Sequence, residues 1–231
     1  ELVLLSPQTG PAGLIDSSYS LWRQVWWPTL RELDHIEELP SDGFSRQDLV
    51  GVFLLAGVPR ALCCFKRIDL RRPMNQEDSW FNPWPLDLLQ GLSVERPRAL
   101  IPSWLTVHPE YRRSAGKTRF NLAALCSDLI AEVCRSSEVD IAFGTPRKDL
   151  GVNRLVAQSG AIVLKENIQH HGVLIDLVAF LPEVIAGLRL SDDFAQIWQR
   201  RFNFSDFKFK ETDLTNHGHT KESHNANELQ I

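Results

Sequence analysis

The chain has 231 residues, 43% of them hydrophobic, and a formal net charge of −4. That size suits one domain with appendages and a sizeable core, and the mildly acidic balance excludes a nucleic-acid binder that works by bulk charge. No apolar run reaches the ~20 residues that cross a bilayer. The four cysteines, at 63, 64, 126 and 134, show no Cys-x-x-Cys spacing, which points to reduced thiols and a cytoplasmic setting.

Leu2-Val3-Leu4-Leu5 reads as a short strand, and Pro7, Gly10, Pro11 and Gly13 make the loop after it. Asp16, Ser17 and Ser18 are good helix N-caps. Leu21, Trp22, Val25 and Trp26 follow at helical spacing. Pro28 is expected to end or kink that helix, or to open a second one that carries Leu30, Leu33 and Ile36. The apolar runs Asp48 to Ala56 and Ala61 to Ile68, joined through Gly57-Val58-Pro59-Arg60, read as a β-hairpin.

Residues 69–98 form a long connection with Pro73, Pro83, Pro85 and Pro97, and with Trp80, Phe81, Trp84, Leu86, Leu88, Leu89 and Leu92. Such connections are uncommon and often functional. This one is either a wall for an apolar chain or an insertion that covers the sheet with its own cluster.

The stretch from Leu100 to Arg135 organises the rest. Trp104-Leu105-Thr106-Val107 reads as a strand. His108-Pro109-Glu110 is a turn, and a basic loop carries Arg112, Arg113, Lys117 and Arg119 around Gly116. Leu122, Leu125, Cys126, Leu129, Ile130 and Val133 then fall on one helical face. A strand, a loop and a helix N-terminus in that order make an anion site, since the first helical amides lack internal partners. Ser114 and Thr118 can add hydroxyls. The loop is not a nucleotide P-loop, because Tyr111 stands where that motif needs its first glycine.

Farther on, Val139 to Gly144 is a strand and Pro146 to Gly151 a loop with Arg147 and Lys148. Val152 to Ser159 is a helix closed by Gly160. Ala161 to Leu164 and Val173 to Leu181 are strands, the last almost wholly apolar. Ser191 can cap a further helix with Asp192 and Asp193 in its first turn, and Phe194, Ile197, Trp198 and Phe202 form its stripe. Residues 211–231 are polar, with His217, His219 and His224. They read as a flexible tail rather than a metal tract.

Val107 to Thr118 resembles motif A of the GNAT acyltransferases, whose strand end Val-x-Pro-x-Tyr-Arg precedes an Arg/Gln-x-x-Gly-x-Gly/Ala loop. Arg113 and Gly116 match; Thr118 replaces the last small residue. The element order fits over roughly residues 15–182. Asn153 to Gly160 resembles the family's Asn-x-x-Ala-x-x-x-Tyr-x-x-Gly helix in shortened form. The resemblance implies an α/β (α+β) fold with a mixed central sheet and a splayed fourth strand, in a domain at 1–186 with a helical extension at 187–210. It implies acyl transfer, without a metal, from a phosphopantetheine thioester (acyl-CoA or acyl-acyl-carrier-protein) to the amine of an amino acid or similar small molecule. The main chain of Leu105 and Val107 would then bind the pantetheine. Arg112, Arg113, Ser114, Ala115, Gly116, Lys117 and Thr118 would bind its phosphates, and Asn153 would meet it from the neighbouring helix. Pro102 suits the family's strand bulge.

Two departures matter. The fourth strand lacks the acid often used as general base, and the Asn153 helix lacks the Tyr often used to protonate the thiolate. Glu95 and His108 are then the catalytic candidates, with His170 and His171 behind them. Loss of that Tyr also occurs in long-chain N-acyl amino acid synthases and acyl-homoserine lactone synthases. The apolar 69–98 segment and the tryptophan-rich first helix fit long-chain use, so the expectation is a long-chain donor in an enzyme like the N-acyl amino acid synthases. Arg147 and Lys148 could meet an acidic acyl carrier protein. An acetyl-CoA-dependent N-acetyltransferase and a non-catalytic binding domain are the alternatives.

Overall fold

The computed structural model describes residues 1–112 and 115–210. An eight-stranded mixed sheet runs in the order β6-β7-β5-β4-β3-β2-β1-β8. Its strands are β1 (Leu2–Leu5), β2 (Leu49–Leu55), β3 (Val58–Asp69), β4 (Arg98–Val107), β5 (Ile141–Gly144), β6 (Ile162–His170), β7 (Val173–Phe180) and β8 (Phe202–Phe204). The helices are α1 (Ala12–Asp34), α2 (Asp42–Ser45), α3 (Pro73–Gln76), α4 (Leu86–Glu95), α5 (Leu122–Ser136), α6 (Val152–Gln158), α7 (Pro182–Ile185) and α8 (Asp192–Gln199). The tail at 211–231, with its three histidines, lies outside the described residues.

The sheet separates two layers because strand side chains alternate. Leu2 and Leu4 join one cluster with Phe53, Phe65, Leu100 and Phe180, under the apolar face of α5. Val3 and Leu5 face the other way and pack with Val52, Leu62 and Cys64 beneath Trp22 and Val25 of α1. On that second face α1 covers the β1–β3 half, and the 69–98 segment covers the other half. Its Phe81, Trp84 and Leu89 are buried against Phe143, Ile175, Leu177 and Ala179. The segment is therefore a packing layer, the second of the two readings offered for it.

Some boundaries differ from expectation. α1 begins at Ala12, not at the Asp16–Ser18 caps, because the Pro11 carbonyl already accepts from the amides of Leu14 and Ile15. It also runs through Pro28 as one helix. Proline removes a single donor there, while Trp26 and Leu30 on either side stay packed on the sheet. The β2–β3 turn is two residues, Ala56 and Gly57, both left-handed at φ 51° and 75°. That twist matches the strands, so β3 starts at Val58 instead of Ala61. β6 extends to His170, past the expected Leu164, as an exposed edge strand with bulges.

Residues 188–210 pack onto the sheet. Ser191 caps α8 as expected, its hydroxyl accepting from the Phe194 amide at 3.4 Å, and Phe194 is buried in the α5-side core. Phe202 is not on that helix; it opens β8, which pairs parallel to β1.

Candidate functional site

β4 and β5 are parallel and pair only at Ala99↔Ile141 and Leu100↔Ala142. Beyond Leu100 the two strands diverge, and from Ile101 to Val107 β4 has no registered partner on that side among the described residues. A strand edge left open inside a sheet presents unpaired main-chain donors and acceptors. The His108 amide bonds back to the Arg60 carbonyl on β3 at 2.9 Å. By alternation along the strand, the Val107 amide and carbonyl face the open side. Val107, assigned to the donor's arm by the resemblance, lies on this open edge.

The open edge is also kinked. Cys64 pairs with Ser103 and Leu62 with Thr106, so Trp104 and Leu105 together oppose Cys63. This is a β-bulge. Pro102, expected to mark it, instead stays in register with Phe65. The bulge sits at Trp104, which adopts φ 55°, a left-handed conformation that costs an ordinary residue about 1–2 kcal/mol. Tertiary contacts hold it there. The Trp104 ring meets Trp22 and Trp26 edge-on at 5.3 and 5.0 Å. The buried Thr106 hydroxyl donates to the Trp104 carbonyl at 2.6 Å and accepts from the Trp26 indole at 2.8 Å.

At the end of β4, Pro109–Tyr111 forms a 3-10 turn capped by His108, whose Nδ1 accepts from the Glu110 amide at 3.3 Å. That bond uses the lone pair of the neutral ring and leaves the proton on Nε2. Burial, with Arg60 next, pushes the His108 pKa below its ordinary 6.5, so the ring is neutral at physiological pH. Lys117 reaches back to Glu110 at 2.6 Å, and this contact holds the Glu110 carboxyl below its usual range. Gly116 is left-handed at φ 66°. The Thr118 hydroxyl accepts from the Phe120 amide at 3.1 Å. α5 starts only at Leu122, where the Asn121 side chain accepts from the Ala124 amide at 3.3 Å. The Ala115 amide donates to the Arg112 carbonyl at 2.8 Å. Arg113 and Ser114 lie outside the described residues.

Across the divergence, the Asn153 amide donates to Asp176 on β7 at 3.1 Å. Lys148 lies 3.2 Å from the other carboxylate oxygen, which also accepts from the Asn167 amide at 3.0 Å. Burial opposes ionisation of Asp176, but these three donors outweigh it and keep the carboxyl below its usual range. Lys148 and Arg147, the latter paired with Asp149 at 2.6 Å, are therefore both neutralised locally.

The two catalytic candidates do not meet. Glu95 is the exposed last residue of α4 and precedes β4. His108 follows β4, and ten strand residues span about 30 Å. Sequence proximity to the strand suggested Glu95, but it lies at the wrong end. His171 is placed more tellingly. It occupies a two-residue turn with Gly172, and its Nδ1 lies 2.7 Å from Asp34 at the end of α1. Since α1 covers the β1–β3 half of the sheet, this contact crosses the gap between the diverging halves. Sequence reading missed Asp34 and Thr106, and no local signal marks either. The four cysteines are free and buried; burial pushes their thiol pKa values up, so none is a ready nucleophile.

No protein-family model and no curated protein matches the chain. Solved structures do. A variant of agmatine N-acetyltransferase in its apo form is 15% identical, with a TM-score of 0.52 over 78% of this chain and 97% of that one. Polyamine N-acetyltransferase from Drosophila melanogaster is 15% identical, with a TM-score of 0.52 over 78% and 98%. An N-acyl amino acid synthase from uncultured soil microbes is 10% identical, with a TM-score of 0.49 over 77% and 96%. At these identities the likeness is one of fold. The chain has the GNAT fold, with its strands in the expected order and β4 splayed from β5.

Proposed function

We propose that this chain transfers an acyl group from a phosphopantetheine thioester to the amine of a small molecule. The observation that carries the reading is the parting of β4 from β5 after Leu100, with a bulge at Trp104 and a basic loop at the strand's end. The open main chain at Leu105 and Val107 suits the amides and carbonyls of a pantetheine arm. The Arg112–Thr118 loop, ahead of the α5 N-terminus, suits its phosphates.

The chemistry asked of the protein is modest. A strand amide stabilises the charge that develops on the thioester oxygen. Holding amine and thioester together supplies much of the remaining acceleration. With the cysteines buried, direct attack by the amine is favoured over an acyl-enzyme. Neutral His108, its Nδ1 already accepting a hydrogen bond, keeps its Nε2 proton and can donate a hydrogen bond from it rather than abstract a proton, and Glu95 is set aside by its place in the fold. The acceptor's proton then passes to water at the cleft.

The packing favours a short acyl group, as an acetyl-CoA-dependent N-acetyltransferase would carry. Phe81, Trp84 and Leu89 of the 69–98 segment cover β5 and β7, and Trp22, Trp26 and Trp104 fill the α1 side beside the bulge. The second reading is a long-chain donor, free or on an acyl carrier protein, as in an N-acyl amino acid synthase. Its support is the exposed Met74, Leu86 and Val94 on the same segment.

The test is thiol release by the purified chain from acyl-CoA thioesters of graded length, against a panel of diamines, agmatine and amino acids. Amine-dependent release with acetyl-CoA is expected. Release only with long-chain thioesters would select the second reading. Tight CoA binding without turnover on any acceptor would replace both with a binding domain.

A further inference from the structure

We infer that Thr106 and Trp26 are positioning residues for the acyl-transfer centre: together they fix the bulge that aims the Leu105 amide. The inference rests on the acyl-transfer reading for its consequence and on geometry for its mechanism. The Trp104 carbonyl is held by the Thr106 hydroxyl at 2.6 Å. In a planar trans peptide the next N–H points opposite to that carbonyl. Fixing the Trp104 carbonyl toward the Thr106 side chain therefore fixes the Leu105 N–H in the reverse direction. Leu105 lies in the bulge, where no β3 residue pairs with it, and its side chain packs on the α5 side.

The hydroxyl cannot hold this geometry alone. A threonine side chain can rotate, and a lone i to i−2 hydrogen bond is weak. The Trp26 indole removes that freedom. Its N–H donates to the Thr106 oxygen at 2.8 Å, so the hydroxyl proton must go to the carbonyl. Thr106 is fully buried, so water does not compete. Trp26 reaches across from α1, which is anchored in turn by buried Trp22. The result is a relay from α1, through one hydroxyl, to a left-handed peptide that an ordinary strand would not adopt.

This arrangement differs from simple packing in a way that can be measured. Thr106→Val keeps the shape and removes both hydrogen bonds. Thr106→Ser keeps the hydroxyl. Trp26→Phe removes the donor and keeps a ring. Crystal structures of the two Thr106 variants are the first readout. In the valine variant Trp104 is expected to leave the left-handed region, and in the serine variant to keep it. A valine variant with Trp104 still left-handed at its present bulge would overturn the inference, whatever the enzyme does.

Kinetics is the second readout. With thioester and amine, Thr106→Val should lower kcat on the order of 100-fold, the effect of a donor misplaced by about 1 Å. The donor KM should change by less than about threefold, and Thr106→Ser should restore kcat to within about threefold. Trp26→Phe should fall between them. A folded valine variant with wild-type kcat would overturn the inference. A wild-type chain that turns over no thioester would sink the acyl-transfer reading instead, and the crystal structures would still decide whether the relay sets the bulge.

Discussion

Gly43 provides a direct test of how tightly the bulge is held. It lies in α2 beneath the tryptophans, and a Cβ there would sit 2.8 Å from Cζ2 of Trp104 and 3.0 Å from Cζ2 of Trp22. Carbon atoms prefer separations of about 3.5–4.0 Å, so Gly43→Ala must move the indoles by about 1 Å. Neither ring can yield freely: Trp22 is fully buried, and Trp104 is wedged edge-on between Trp22 and Trp26. Overpacking of this kind costs about 1–3 kcal/mol. For a chain of this size that is a fall in Tm of about 2–12 °C. Turnover should fall further, because the displaced ring belongs to the bulged residue itself. Gly91→Ala is the control. It lies inside α4 with nothing within 4 Å of its would-be Cβ, so alanine should stabilise by about 0.5–1 kcal/mol and leave turnover unchanged. Thermal melts and thiol-release assays on the pair read both quantities. A Gly43→Ala chain melting within about 1 °C of wild type would show that the indoles relax without strain, and the argument for a rigid aromatic support would fail.

Other outcomes follow from the same geometry. Gly116→Ala should cost about 1 kcal/mol through its φ of 66°, since among the described residues no atom lies within 4 Å of the added methyl. Gly116→Trp should add a rise in donor KM of about tenfold or more; an unchanged KM would remove the loop from the donor site. Nitrogen NMR of His108 should show the Nε2–H tautomer and a pKa below the ordinary 6.5. Because the folded value is depressed, its contribution to stability is present above pH 6.5 and lost as pH falls through the folded value. A titration at or above 6.5 would contradict the capping geometry. Asp128 is buried and accepts from the hydroxyls of Ser159 and Ser191 at 2.9 and 2.6 Å, tying α5 to α6 and α8. Asp128→Ala should lose about 3 kcal/mol or more in urea unfolding, and a loss under about 1 kcal/mol would mean those bonds are exchanged freely with water.

What the sequence made legible was what local chemistry decides. The α5 stripe from Leu122 to Val133 is buried as its period required. The left-handed Gly116 and Gly160 stand where a loop and a helix end demanded them. The Ser191 cap holds. Other features depend on partners far along the chain. The Trp26–Thr106 bond joins residues 80 apart, and the Asp34–His171 contact joins residues 137 apart. Nothing near Trp104 announces a left-handed φ; Pro102 looked the better breaker because its effect is local. Phe202 continued the apolar spacing of α8, yet the helix stops at Gln199 and Phe202 pairs with Val3. A three-residue edge strand has too few side chains to display a period of two. Glu95 misled for a related reason: closeness in sequence to a strand says nothing about which end of it carries the chemistry.

The two layers over the sheet also constrain where an acceptor amine can approach. On the α5 side, Leu105 and Val107 of β4 pack with Val152 and Val156 of α6 in the core beneath α5. On the other side α1 and the 69–98 segment each pack down onto their own half of the sheet. β4 and β5 part between these two halves. Asp34 of α1 and His171 of the β6–β7 turn are in contact. We propose that the acceptor approaches on this side, beside the Asp34–His171 contact. If that is the route, Asp34→Asn should raise the KM for a cationic amine while leaving the KM for the acyl donor within about twofold. Equal effects on both constants would place the acceptor elsewhere.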